Sequence, residues 1–111
     1  MKVFISANKL GKPVSFEIDN TYLGRKGFVR VIQKIPGAVI IRGPKKLFSW
    51  FMEDEFCEFE VNGQRFIAEE PFGDNSHYWV ATTPSARACS ELEIVIDQFK
   101  LQKWSFGLGN S

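Results

Sequence analysis

Two residues decide the register of the middle of this chain. Asn62-Gly63 stands between Cys57-Glu58-Phe59-Glu60-Val61 and Gln64-Arg65-Phe66-Ile67-Ala68, both of which read as strands. Asn-Gly tolerates positive φ at both positions, which a two-residue type I′ hairpin turn requires. A slip of one residue would move every side chain to the other face of the sheet, so a turn of fixed length also fixes the faces. The expected partners are Val61 with Gln64, Glu60 with Arg65, Phe59 with Phe66 and Cys57 with Ala68. Cys57, Phe59, Val61, Phe66 and Ala68 then share the core face. Glu58, Glu60 and Arg65 share the outer face, together with Ile67, an apolar residue on a polar side.

This hairpin lies in the most acidic part of the chain. Residues 53–74 hold eight of the thirteen acidic residues and one base, Arg65. Residues 1–46 carry ten Lys/Arg against two acids. The net charge of +1 therefore hides two strong and opposite local fields, of the kind that steer partners. A plainer reading is that strands from the two halves pair and neutralise each other.

The rest of the chain is punctuated as a β-rich protein. Met1–Ala7, Val14–Ile18, Phe28–Ile35, Val39–Arg42 and His77–Thr83 all read as strands by composition and alternation. Gly24 and Gly27 read as a turn, because the full phosphate-binding spacing is absent. Pro36-Gly37 suits a longer or bulged connection better than a tight hairpin. In 47–52, Trp50 and Phe51 are adjacent and cannot both point inward on a strand. One helix is expected, over about 90–103, from Leu92, Val95, Ile96 and Phe99 at helical spacing. Ser90 and Glu93 have the Ser-x-x-Glu pattern of a capping box, so Ser90→Ala is expected to cost about 1 kcal/mol. The predicted fold is α+β: one domain over 1–111, with six to eight mostly antiparallel strands in a curved sheet or sandwich, packed by this C-terminal helix. The element order also resembles a pleckstrin-homology-type barrel.

The chain offers little for catalysis. It has one His and two Cys, too few at workable spacing for a zinc site, and no cofactor motif. Cys57 or Cys89 with His77 is the one nucleophile–base pairing that composition allows, and Cys57 reads as core. Crowded carboxylates more often form a solvated face than an acid–base pair. No run is long and apolar enough to span a membrane. The N-terminus lacks a signal-peptide core, and two thiols without an export signal read as reduced, which together point to the cytoplasm. The expectation is a non-enzyme.

A rigid acidic hairpin beside aromatic residues suits association with a basic protein. In this, with EDEFCEFE and AEE as its acidic runs, the chain resembles the immunity proteins of bacterial toxin systems, including contact-dependent growth inhibition. The resemblance is one of general character and carries no shared motif. It implies a basic nuclease toxin as partner, occluded by carboxylates that mimic phosphates. The candidate partner-binding residues are Glu53, Asp54, Glu55, Glu58, Glu69, Glu70 and Asp74, with Trp50 as the aromatic anchor. Neutralising Glu53, Asp54, Glu55 and Glu58 together is expected to weaken partner binding and leave folding nearly intact. The alternative is a nucleic-acid- or phosphoinositide-binding β domain using the basic N-terminal half, with Lys45 and Lys46 toward a lipid headgroup. The acidic hairpin and a pI near 7.8 count against nucleic acid.

Overall fold

The computed structural model describes residues 1–19, 23–43, 55–70 and 77–102. Six strands form one antiparallel sheet: β1 (Val3–Ala7), β2 (Pro13–Asp19), β3 (Ala38–Arg42), β4 (Glu55–Val61), β5 (Gln64–Glu69) and β6 (His77–Thr82). Their order across the sheet is β1-β2-β6-β5-β4-β3. The order is linear, so the described strands make an open sheet and not a barrel or a sandwich. Among the described residues two helices, α1 (Gly24–Gln33) and α2 (Ser90–Lys100), pack together on one face. α1 lies toward β3 and α2 toward β1 and β2.

The hairpin register follows from its turn. Asn62 and Gly63 have φ of 51° and 85°, and β4 pairs with β5 as Val61–Gln64, Glu60–Arg65, Phe59–Phe66 and Cys57–Ala68. Cys57, Phe59, Val61, Phe66 and Ala68 are all fully buried. β2 and β6 extend the sheet's inner face through Phe16 and Ile18, and through Tyr78, Val80 and Thr82. The buried Thr82 hydroxyl is satisfied: it donates to the Ser85 carbonyl at 2.8 Å and accepts from the Arg87 N–H at 2.9 Å.

Residues 24–33 correct the sequence reading, which expected a turn and then a strand over Phe28–Ile35. They form α1. Phe28, Val31, Ile32 and Ile35 recur at helical spacing and are buried, while Val29 is half-buried and Arg30 exposed. Burying that stripe outweighs the strand bias of four β-branched residues, because propensity is a weak prior against tertiary packing. Gly37 then turns the chain into β3 at φ 83°, and a Cβ there would meet Asn62 Oδ1 at 2.9 Å.

α2 buries Leu92, Val95, Ile96 and Phe99, as its periodicity predicts, but it ends at Lys100 and its start differs. Cys89 holds the N-cap position in extended conformation, and no side chain caps the helix. Ser90 is already the first helical residue, so the capping box does not form. Ser90→Ala is accordingly expected to change stability by less than about 0.5 kcal/mol in urea denaturation, half or less of the loss of a true cap.

The core centres on Phe28. Its ring meets Phe56 at 5.3 Å, Phe59 at 6.1 Å, Tyr78 at 6.1 Å and Phe99 at 5.1 Å. Cys57 lies in the same core, and burial, with the Arg42 charge acting in the opposite sense, pushes its thiol up to about 12. A thiol whose folded pKa is raised leaves stability intact below its unfolded pKa of 9.0 and erodes it as pH rises from there toward 12. In native protein, a thiol reagent at pH 8 is therefore expected to modify the half-buried Cys89 first, with Cys57 reacting only after denaturation. Equal rates for the two thiols would contradict the burial of Cys57.

Candidate partner-binding face

The helices cover one face of the sheet, and alternation sends the other half of every strand to the opposite face. Among the described residues that open face receives Glu17 and Asp19 from β2, Glu55, Glu58 and Glu60 from β4, and Glu69 from β5. Against these six carboxylates stand two guanidinium groups, Arg42 of β3 and Arg65 of β5. Strands lie about 4.8 Å apart, and same-face residues on one strand about 6.7 Å apart, so the carboxylates form a two-dimensional array.

Part of the array is internally balanced. Arg65 Nη1 donates to Glu58 at 3.0 Å, and its Nε lies 3.5 Å from Glu60. Arg42 Nη2 donates to Glu55 at 3.3 Å, and its Nε lies 3.9 Å from Glu58. Glu58 thus bridges two arginines. The expected Glu60–Arg65 pair is present, but the shorter contact of Arg65 is to Glu58, diagonal to it across the hairpin. Glu58 and Glu55, expected to be open to a partner, already hold counter-charges. Pairs exposed to this degree contribute about 0.2–1 kcal/mol each and exchange readily.

Glu70 leaves the set altogether. It follows β5 and grips Arg25 of α1 at 2.6 Å, while that guanidinium lies over the Phe56 ring at 4.9 Å. The contact fastens α1 to the end of β5. Glu69 is on the open face. Trp50, Glu53, Asp54 and Asp74 lie outside the described residues, as do Lys45 and Lys46.

The structure adds an aromatic that the sequence-based site lacks. Trp79 of β6 is half-buried on the open face, directly between Glu17 of β2 and Glu69 of β5. Two residues away His77 faces Asp19 in register and meets the Phe4 ring edge-on at 5.4 Å. The Glu17 side chain makes no hydrogen bond or ion pair with a described residue. The outward direction of Trp79 is legible, because it alternates with the core residues Tyr78 and Val80. The signal the sequence lacks is the pairing of β6 with β2, which sets Glu17 and Asp19 beside it from some sixty residues away in the chain.

Cys57 points into the core and His77 lies on the other face, so the sheet separates the one nucleophile–base pair that involved the hairpin. No described helix is long and apolar enough to cross a membrane. Compared with known protein families, curated proteins and solved structures, the chain matches none.

Proposed function

We propose that this chain is a non-catalytic protein-binding module, and that the open face of its sheet receives a basic partner. The partner we infer is a nuclease toxin, whose cationic active site the face occludes in the way immunity proteins do. The observation that carries this reading is the single face shared by Glu17, Asp19, Glu55, Glu58, Glu60, Glu69 and Trp79. A carboxylate-rich sheet face presents negative charge over the area a nucleic-acid backbone would occupy. It attracts the Lys and Arg of a nuclease and repels the substrate. Trp79 supplies what charge alone does not, an aromatic anchor with its own affinity for a guanidinium or ammonium group. The Arg42 and Arg65 pairs hold the array in place and can yield their carboxylates to a partner's cations.

The same arrangement weighs against the basic half as a nucleic-acid surface. Arg25 and Arg42 are engaged by carboxylates, and the other described cations of residues 1–46 divide between the β1–β2 hairpin and its flanks (Lys2, Lys9, Lys12) and α1 with its C-cap (Lys26, Arg30, Lys34).

The test begins with the partner that co-purifies from the native cell at low salt. Once that protein is purified, the chain is expected to bind it one to one, with affinity falling as salt rises, and to abolish its nuclease activity at equimolar ratio. An acidic partner, or a bound nuclease that stays active, would remove the proposal.

A further inference from the structure

The helix layer carries opposite charges on its two members. α1 contains no acidic residue, and Lys26, Arg30 and Lys34 are exposed at four-residue spacing. That spacing lines them along one face, about 6 Å apart along the axis. On α2, Glu93 and Asp97 are exposed at the same spacing. Beside them Ile94 leaves 40% and Leu101 70% of its surface exposed. Seven residues apart, Ile94 of α2 and Leu101 at its C-cap lie on one side of the helix. α1 and α2 pack together through Phe28 and Phe99, yet Lys26, Arg30, Glu93 and Asp97 form no ion pair with any described residue. The complementary stripes point outward, away from the sheet.

We propose that the helix layer is a homodimer interface, in which α1 of one protomer docks on α2 of its partner and α2 on the partner's α1. A two-fold axis running between the layers, along the helices, brings both contacts together at once. A basic protein would satisfy only α2 and an acidic one only α1, whereas a second copy of this chain offers both stripes in the matching arrangement. Such an isologous, self-complementary contact is the commonest form of assembly. The Lys26 and Arg30 stems cover Ile94 and Leu101 of the other protomer, and their charged heads reach Glu93 and Asp97 at the rim. The interface is independent of the proposed toxin-binding face, which lies on the other side of the sheet and stays open on both protomers.

Light scattering after gel filtration tests this. At about 100 µM and low salt the wild type is expected at twice the 12.7 kDa chain mass, moving to the monomer in about 1 M salt. The charge reversals Lys26→Glu/Arg30→Glu on α1 and Glu93→Lys/Asp97→Lys on α2 should each dissociate at least about tenfold more readily. Mixed in equal amounts, the two should re-form a dimer, because each supplies the stripe that the other lacks. Circular dichroism checks that both fold; if a reversal disrupts α1 or α2, Lys26→Gln/Arg30→Gln and Glu93→Gln/Asp97→Asn replace it, and each is expected to weaken the dimer on its own. A wild type that stays monomeric, variants as dimeric as the wild type, or reversed variants that do not associate with each other would each overturn the proposal. So would a monomer that binds heparin through α1, since the stripe would then serve a polyanion.

Discussion

Phe28→Ala is expected to lower the free energy of unfolding by about 3–5 kcal/mol, a large part of the 5–15 kcal/mol typical of a domain. The size follows from position. Phe28 is fully buried, and its ring touches residues from β4, β6 and α2 as well as anchoring α1. Truncation leaves a cavity where three elements meet, and none can close it without breaking its contacts with the others. Urea denaturation measures the effect, and a loss below about 1 kcal/mol would mean that the ring is not buried as described. The same experiment separates a helix from a strand over these residues. In α1, Ile32 is fully buried and Val29 only partly, so Ile32→Ala should cost about 2–5 kcal/mol and Val29→Ala markedly less. A strand with Val29, Val31 and Ile35 on its inner face would reverse that order.

The contrast between α1 and the β4–β5 hairpin shows what this chain makes legible. Asn62-Gly63 is a local signal with one favoured geometry, and the register it predicts holds pair by pair. α1 has no such marker. Its first residues include Gly24 and Gly27, and its buried stripe is made of Phe, Val and Ile, which favour strands when taken singly. Only the spacing of Phe28, Val31, Ile32 and Ile35 points to a helix, and alternation over so short a window imitates it. At α2 the period is clear and the cap is not, since Ser90 stands one residue inside the helix. The candidate site is split in the same way. Its charge is visible as composition, but the face is assembled by pairing β2 with β6, a contact between distant segments that no local pattern encodes.

The open face makes the second large expectation. Replacing Glu17, Asp19 and Glu69 by their amides should slow association with a basic partner by about tenfold or more and flatten its salt dependence, because steering scales with the field of the face. Arg42→Met with Arg65→Met should act in the opposite direction. It releases Glu55, Glu58 and Glu60 from their ion pairs, so association quickens, while stability falls by about 1 kcal/mol as the carboxylates repel one another. A merely solvated acidic surface would show the stability change without the kinetic one. Glu58 and Glu55 are less specific probes of steering than Glu17: an amide there weakens the field of the face and also breaks the ion pairs with Arg42 and Arg65, so the kinetic effect is mixed with a change in the array itself. Trp79→Ala tests a different term. An anchor holds the complex after encounter, so its loss should raise the dissociation rate and leave the salt slope of association unchanged. Stopped-flow association across a salt series, with dissociation by competition, reads both quantities on the same variants. If the amide triple variant and Trp79→Ala both bind as the wild type does, the partner meets the chain elsewhere; if only the triple variant is impaired, the face steers the encounter and the anchor lies among other residues.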